Sequence, residues 1–464
     1  MGVIARYGRV TAVLRHRLLG DDEARQVRRD VMRLAMPSIG EQLLNMTVQM
    51  VNTYLVGHLG AVELVAVGLS NNMMMLAQTF IMALATGATA VVARLVGARD
   101  PEGASRILQQ ALLVGGGVGT LLMVVMAALA GQAIAFYNPE PAVAAIAAVY
   151  LRIASLTFTM QGFLVVGNAA LRGAGDTRTP LYMMLMVNAV NIAISASLLH
   201  GAGPLPRLGV LGPAVGSATA LGLGGVAMMA ILASGRANLR LRRDGWRPDR
   251  EAILRVMNVG LPAGGEQLAL RMGMVFFQRV VAGLGTVAYA AHQVAITGQS
   301  ICFMPGFGFS IAATAMVGQA LGARDPERAR RSVREALRVS TLVMGIVGLL
   351  LVALAPQVMA IFVDDPEVVR QGVNPNRVLG ILQPLMAATM VYSGALRGAG
   401  DTRWTLVITA LCVWAVRVPV ATLLAGPVGW GLLGAWLGMV FDNVARATLF
   451  WLRYRTGAWT RIRV

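Results

Sequence analysis

Gly97-Ala-Arg-Asp-Pro-Glu102 is the stretch that decides the fold, because the same six residues return unchanged from Gly322 to Glu327, 225 positions later. The eight residues Leu-Arg-Gly-Ala-Gly-Asp-Thr-Arg run from Leu171 to Arg178 and recur at the same offset from Leu396 to Arg403. Self-similarity at one fixed offset is the signature of a repeated unit. The chain is therefore two tandem copies of one unit.

The composition is that of a membrane protein. Of the 464 residues, 56% are hydrophobic and 13% are charged, whereas charged residues make up about 25% of an average soluble domain. Apolar runs long enough to cross a hydrocarbon core of roughly 30 Å as helices recur along the whole length. The sequence therefore predicts an all-α membrane protein.

Six apolar runs in each copy predict twelve transmembrane helices. The runs cover residues 34–57, 64–93, 107–131, 143–170, 180–200, 208–233, 253–282, 288–320, 337–362, 376–396, 404–426 and 431–452. We expect two six-helix lobes, at 34–233 and 253–452, related by a parallel tandem repeat. The remaining parts are an arginine-rich tail at 1–33, a connector at 234–252 and a tail at 453–464, all expected to be cytoplasmic.

Arginine sets the expected orientation, because cytoplasmic loops carry the excess of positive charge. All 40 basic residues are arginines, and 32 of them fall in the two tails and in every second loop. Both termini are therefore expected in the cytoplasm, in a multi-pass protein of the inner (plasma) membrane. Six spans is an even number, so the two copies share one orientation and are related by an axis along the membrane normal.

Residues that the chain lacks exclude several classes of enzyme. Without lysine it can form neither a Walker P-loop nor a pyridoxal Schiff base. It also lacks the His-Glu-x-x-His and Gly-x-Ser-x-Gly motifs of hydrolases. Cys302 and Cys412 lie singly in apolar spans, and no metal-ligand spacing joins the histidines His16, His58, His200 and His292. We predict no catalytic residue, no bound metal, no cofactor and no enzymatic activity.

The net charge of +18 is not accompanied by a nucleic-acid-binding motif. Seven arginines lie between Arg236 and Arg255 in the connector, where they suit a loop on an anionic membrane surface. The expected partner of this charge is the lipid bilayer rather than a nucleic acid.

A polar stripe on the first helix is the clearest candidate for a functional surface. Its residues fall within about 100° of arc at 100° per residue, and they are Ser38, Glu41, Gln42, Asn45, Gln49 and Asn52. Because polar groups inside a membrane are costly, they usually mark function. We expect the stripe to line a water-filled cavity. The alternative is that these residues form hydrogen bonds to neighbouring helices.

The seventh helix repeats part of this pattern with more charge. Glu266 and Gln267 stand at the positions equivalent to Glu41 and Gln42, and the helix adds Arg271, Gln278 and Arg279. Arg271 lies one turn beyond Gln267 and could neutralise Glu266. An ion pair and a substrate contact both remain open for Arg271.

Three other helices carry polar residues on one face. Asn188, Asn191 and Ser195 share a face of the fifth helix, and His292 and Gln299 share one of the eighth. We expect these five residues to line the cavity, which should bring together the first, fifth and seventh helices. In the last helix Asp442 and Arg446 are spaced for an internal salt bridge.

Several motifs in order resemble the multidrug and toxic compound extrusion (MATE) family. Besides the repeated eight residues, these are Val56-Gly-His-Leu-Gly60, Val96-Gly-Ala-Arg-Asp100, Val317-Gly-Gln-Ala-Leu-Gly-Ala323, Ala291-His-Gln-Val294 and Asp442-x-x-x-Arg446. The resemblance covers about residues 33 to 459. It implies a monomeric, two-lobed exporter that exchanges Na⁺ or H⁺ for amphipathic, often cationic small molecules by alternating access.

Two alternatives to a drug exporter stay open. The wider group that the resemblance implies also holds lipid-linked saccharide flippases, and Arg271 and Arg279 would suit the pyrophosphate of an anionic lipid-linked precursor. A transport-inactive membrane receptor is the second alternative. It is suggested by departures from the family pattern at positions where relatives carry coupling acids.

These departures are specific. Asn52 stands where many bacterial relatives have an aspartate in the first helix, and Asn191 is followed by Ser195 where one branch has Asn-x-x-x-Asp. The glutamate that another branch places in the seventh helix aligns near Leu270. The usual coupling acids are therefore absent.

Glu41 and Glu266 are the remaining candidates for the coupling ion, since Arg446 should hold Asp442 ionised. Arg271 would oppose protonation of Glu266, so Glu41 is the better proton site. With the carbonyl oxygen of Asn45, Glu41 could instead coordinate Na⁺. A glutamate this close to Pro37 is equally suited to tether the start of a bent helix.

Overall fold

The computed structural model is helical almost throughout. It describes the backbone of residues 2–57, 59–201, 206–235, 239–363 and 365–462, and the side chains of these ranges other than 2–22, 200, 243, 244 and 301. The predictions on His16, His58 and His200 fall outside the described side chains. The α-helices in the described residues are α1 Gly2–Gly57, α2 Ala61–Gly97, α3 Pro101–Ala128, α4 Ala130–Ala135, α5 Pro141–Ser155, α6 Phe158–Gly173, α7 Arg178–His200, α8 Leu211–Ser234, α9 Arg250–Ala282, α10 Thr286–Gly322, α11 Pro326–Ala353, α12 Ala355–Phe362, α13 Pro366–Gly398, α14 Thr402–Leu411, α15 Val418–Ala425 and α16 Gly431–Arg455.

The helices form twelve spanning units, six in each copy, which confirms the predicted architecture. Four units are broken helices, formed by α3 with α4, α5 with α6, α11 with α12 and α14 with α15. Within the described residues, seven spans are long and apolar enough to cross a bilayer. Two further units are bent, namely α5 together with α6, and the single helix α10. Counting each of them as one span raises the number to nine. The other three units, α1, α9 and α16, carry most of the candidate functional residues.

The two lobes are built alike down to single hydrogen bonds. Thr89 Oγ1 of α2 donates to the carbonyl of Ala169 in α6 at 3.0 Å. Thr314 Oγ1 of α10 donates to the carbonyl of Gly394 in α13 at 2.8 Å. Donor and acceptor are each shifted by 225 residues. The duplication therefore preserves packing as well as sequence.

The lobes meet where α2 crosses α10, and this contact is reciprocal. A Cβ on Gly97 would overlap the carbonyl of Gln319, and a Cβ on Gly322 would overlap the carbonyl of Arg94. Gly97 and Gly322 are equivalent in the repeat, as are Arg94 and Gln319. Only glycine allows two helix backbones to approach this closely. The twofold axis that relates the lobes therefore passes through this crossing.

Further contacts seal the lobes together at the end of the molecule that carries both termini, here called the terminal face. In α1, the carbonyl of Ala35 would lie 3.0 Å from a Cβ on Gly308 of α10. At the equivalent pair of positions, the carbonyl of Ala83 in α2 would lie 2.7 Å from a Cβ on Gly260 of α9. Small residues thus close both sides of the crossing.

Polar side chains reinforce this seal. Gln319 Nε2 donates to the carbonyl of Gly173 at 2.9 Å. On the equivalent side, the Arg94 guanidinium donates to the carbonyl of Ala399 at 3.4 Å and to that of Ile462 at 2.7 Å. Gly173 and Ala399 belong to the two copies of Leu-Arg-Gly-Ala-Gly-Asp-Thr-Arg. Each copy of this motif therefore accepts a hydrogen bond from the opposite lobe.

The segment expected as an N-terminal tail is part of the first helix, since α1 begins at Gly2. Arg28 Nε lies 3.1 Å from Glu335 Oε2 of α11, and Glu23 pairs with Arg331 of the same helix. These ion pairs stabilise the helical extension and add to the terminal-face seal.

The arginine-rich connector is docked on the first lobe. Gln110 Nε2 of α3 donates to the carbonyls of Gly245 and Arg247, both at 2.8 Å. Gln110 Oε1 accepts from the backbone amide of Asp249 at 2.9 Å. A buried glutamine amide thus fixes the connector against α3; that its arginines face the membrane surface stays a prediction.

One π-helical turn, Cys412–Arg417, separates α14 from α15. Beyond it the offset between the copies changes. Gly216 of α8 packs against Ser195, and Gly438 of α16 packs against Ala421. Ala421 lies 226 residues after Ser195, whereas the offset before the π turn is 225. Because single π turns occur as local bulges in α-helices, one extra residue is accommodated here. Arg417 consequently occupies the position of Asn191 in the first lobe.

Candidate functional site

The polar stripe of α1 starts buried and becomes exposed with distance from the terminal face. Glu41 is buried, Gln42 and Asn45 are half-buried, and Gln49 is exposed. The opposite side is apolar and also exposed, at Met36, Leu43, Met50 and Tyr54. A polar exposed face opposite an apolar exposed face indicates water on one side and lipid on the other. The stripe therefore borders a space that widens away from the seal.

Asn52 lies at the outer end of this stripe and is half-buried. Its Oδ1 is buried and accepts no hydrogen bond from any described residue. A buried carbonyl without a partner is costly. Asn52 is therefore the stripe residue with a free hydrogen-bond acceptor for a ligand or water.

The polar face of α7 turns into its own lobe. Asn191 Nδ2 donates to Ser217 Oγ of α8 at 2.8 Å, and Ser195 packs against Gly216 of α8. Asn188, Asn191 and Ser195 are at most 6% exposed. The structure places Asn191 and Ser195 between α7 and α8, where the sequence predicted a cavity wall, because the glycine of α8 lets the two helices pack closely.

Both candidate coupling glutamates are bound by arginines of the repeated motif. Arg172 Nη1 lies 2.9 Å from Oε1 and 3.2 Å from Oε2 of Glu41. Arg397 lies 2.7 Å from Oε1 and 3.2 Å from Oε2 of Glu266. Thr409 Oγ1 adds a hydrogen bond to Glu266 at 3.2 Å. The two pairs are equivalent, since each joins residues 131 apart.

These pairs correct two expectations. Glu266 bonds to Arg397, not to Arg271, and Glu41 has an arginine partner although its own helix face carries none. The reason is that the end of each motif helix, α6 or α13, reaches the glutamate from a neighbouring position in the lobe. Both oxygens of each carboxylate are occupied, so a proton or Na⁺ would have to compete with a guanidinium.

The rest of the polar face of α9 is partly accessible. Gln267, Arg271 and Gln278 are half-buried, and Arg279 is exposed. The structure packs α9 against α2 and α14. The contacts between α9 and α2 of the first lobe extend from Val256 to Gly264. That the polar face of α9 meets the stripe of the first helix across a cavity stays a prediction.

A charged cluster lies inside the second lobe. Asp442 Oδ2 is 2.5 Å from Nη2 of Arg446 and 2.5 Å from Nη2 of Arg417. Arg417 Nη1 also lies 3.6 Å from Met274 Sδ of α9. Arg417 was not among the predicted site residues, although an arginine inside the apolar run 404–426 could have been recognised in the sequence. The first lobe has the neutral Asn191, hydrogen-bonded to Ser217, at the position of Arg417.

His292 and Gln299 lie inside the second lobe rather than on a cavity wall. His292 is fully buried, with its ring centroid 5.5 Å from that of Phe277 and 5.6 Å from that of Trp436. Gln299 is 3% exposed. Aromatic side chains of α9 and α16 close over this part of α10. Neither ring nitrogen of His292 has a hydrogen-bond partner among the described residues.

Three curated proteins are similar along almost the whole chain, and all are named probable multidrug resistance protein NorM. The one from Thermotoga maritima is 29% identical over 96% of this chain and 95% of its own length. Those from Pseudomonas aeruginosa and Bradyrhizobium diazoefficiens are each 30% identical, over 88% and 92% of this chain and 85% and 92% of their own lengths.

Solved structures share the fold. A crystal structure of MATE in complex with MaL6 has a TM-score of 0.88 at 23% identity, covering 94% of this chain and 98% of that one. An outward-facing multidrug resistance MATE family transporter has a TM-score of 0.87 at 22% identity, covering 94% and 97%. The MatE family model matches residues 37–196 and 262–423, one stretch in each copy. The chain is an integral membrane protein and belongs to the multidrug and toxic compound extrusion (MATE) family.

Proposed function

We propose that the protein is a secondary active multidrug exporter of the bacterial inner membrane, with both termini in the cytoplasm. It would exchange H⁺ or Na⁺ for amphipathic, often cationic small molecules. The names of the three NorM relatives support the export of drugs. The arginine-rich loops support the orientation.

The observation that carries this proposal is the combination of a seal at one face with a polar stripe that opens away from it. With the termini in the cytoplasm, the sealed terminal face is cytoplasmic and the structure is the outward-facing state. Alternating access would then require the reciprocal contacts of Gly97 and Gly322 to separate while the outer halves of the lobes approach. Gln49 and Asn52 would meet the substrate in the outward-facing state.

The coupling residue that we propose is Glu41, which lacks the additional hydrogen bond that Thr409 gives to Glu266; Glu266 is the alternative, and Asn45 is a further Na⁺ ligand. Each glutamate would release its arginine when it takes up the ion, which would change the packing of α1 on α6 or of α9 on α13. Efflux by Glu41→Gln and Glu266→Gln variants, driven separately by a pH gradient and by a Na⁺ gradient, tests this assignment. Wild-type efflux by Glu41→Gln under both gradients, with loss in Glu266→Gln, would move the coupling site to the second lobe.

The substrate class has its own test. Cells expressing the chain are profiled for drug resistance, and the same cells are assayed for turnover of lipid-linked intermediates. Resistance to several unrelated amphipathic cations supports the exporter. A change confined to lipid-linked intermediates would establish the flippase instead. A purified protein that binds drug but moves none under any ion gradient would establish a receptor.

A further inference from the structure

The charges inside the second lobe do not balance. Its predicted spans contain two carboxylates, Glu266 and Asp442, and Glu266 is matched by Arg397. Asp442 is fully buried and is shared by Arg417 and Arg446, whose side chains are 7% and 10% exposed. Arginine keeps its positive charge inside proteins. The cluster of Asp442, Arg417 and Arg446 therefore carries a net charge of +1.

The other buried carboxylates of this lobe are already engaged. Glu335 is bound by Arg28 and Arg338, and Asp401 is bound by Arg453. Both lie on the terminal face, outside the predicted spans. No carboxylate among the described residues of the lobe is left to neutralise the second arginine of the cluster.

Unpaired polar atoms surround the cluster. Asp442 Oδ1 and Arg446 Nε are buried and have no hydrogen-bond partner in the described part of the chain. The same holds for Nε of Arg271, which lies one helical turn before Met274, the residue that contacts Arg417. Arg446 Nε is thus a buried, unused N–H donor within the cluster, and Arg271 Nε is a second one on the helix that Arg417 contacts. Leaving such donors empty within a membrane is strongly unfavourable.

We propose that the cluster of Asp442, Arg417 and Arg446 binds a small monovalent anion, either a free halide ion or the carboxylate of a transported compound. An anion restores neutrality and accepts from the unused guanidinium donors, which form short charge-assisted hydrogen bonds to it. The first lobe offers no such site at the equivalent place, because the neutral Asn191 stands where the second lobe has Arg417. Binding of a free halide ion does not depend on export, whereas binding of a transported carboxylate rests on the proposed function.

The experiment measures thermal unfolding of the purified full-length protein in detergent. Sodium gluconate, whose anion carries five hydroxyl groups that keep it hydrated and out of an apolar interior, is replaced stepwise by sodium chloride or bromide at constant ionic strength. We expect the melting temperature of the wild type to rise by roughly 2 °C. Arg446→Gln leaves one arginine for one carboxylate and should abolish the halide-dependent rise. Arg377→Gln, which removes an exposed arginine of the same lobe, should retain it.

A second pair of probes identifies the source of the anion. In chloride-free buffer, 2-naphthoate and 2-naphthamide differ only in the charge of one group. If the site serves a transported compound, naphthoate should bind about tenfold more tightly than naphthamide, and chloride should compete with it. If the site serves a free halide ion, the two probes should bind alike while chloride still raises the melting temperature.

Asp442→Asn provides the opposite test, because it leaves two arginines without a carboxylate. Its halide-dependent rise should exceed that of the wild type, and this outcome decides the case if Arg446→Gln does not fold. Any one of three results overturns the proposal. The first is a halide-dependent rise in melting temperature that is unchanged in Arg446→Gln, and the second is a rise in Asp442→Asn no larger than in the wild type. The third is a wild type whose melting temperature responds to neither halide nor to naphthoate.

Discussion

Gly322→Ala should open the terminal-face seal, and Gly97→Ala should do so to the same extent. In either variant the new methyl group overlaps a backbone carbonyl of the opposite lobe. A backbone carbonyl within a helix cannot turn aside as a side chain can, so α2 and α10 must separate. Overpacking of this kind costs about 1–3 kcal/mol. Because the cost falls on the sealed state alone, the ratio of open to sealed molecules should rise roughly 5- to 150-fold.

Labelling of a buried thiol measures this ratio. Ser332 is 1% exposed and borders a polar cavity between α1 and α11 at the terminal face. Ser332→Cys is introduced into a chain whose native cysteines, both buried, are replaced by alanine. The rate of modification by a maleimide should then increase in proportion to the open population. Gly117→Ala is the matched control, because a methyl group there meets nothing within 4 Å.

Two outcomes would refute the reasoning. One is a labelling rate in both glycine variants equal to that of the Gly117→Ala control. The other is a large effect of Gly322→Ala with none of Gly97→Ala, because the reciprocal geometry makes the two overlaps equivalent. Melting temperature and elution volume, measured on the same samples, separate opening of the seal from unfolding.

The remaining predictions concern stability, transport and topology. Glu41→Gln leaves the guanidinium of Arg172 without its carboxylate and should lower the free energy of unfolding by about 3–5 kcal/mol. Adding Arg172→Gln should recover part of this loss in a double-mutant cycle. Additive losses from the two substitutions would contradict the pairing. Asn52→Leu should lower efflux more than it lowers expression, since it removes a hydrogen-bonding group without leaving a void; parallel losses would point to folding. A cysteine at Gly103 should be labelled from the cytoplasm and one at Asn138 from outside, and labelling from one side would refute the topology.

The architecture could be predicted from the sequence because both of its determinants are visible in the order of the residues. The repeat offset is visible by comparison of the chain with itself, and each span is a continuous apolar run. The order of the twelve units follows directly. The site was harder to predict, because helical periodicity shows which residues share a face and not which neighbour that face meets.

Three residues illustrate this limit. Ser195 and His292 share faces with other polar residues, as expected, but those faces turn into their own lobes through close packing that periodicity does not encode. Arg172 was overlooked as the partner of Glu41 because partners were sought on the same helix. The sequence did contain the signal, since Arg397 follows Glu266 at the same separation of 131 residues. A contact present in both copies would have been strong evidence.

The π turn at Cys412–Arg417 bears on how the two halves of a duplicated gene diverge. One codon added inside a helix would ordinarily rotate everything after it by about 100° and misplace each later contact. Here the extra residue is confined to a single wide turn, and Gly438 still meets its neighbour as Gly216 does in the first lobe. A duplicated transporter can therefore acquire a new charge in one half, as at Arg417, while the helices around it keep their places.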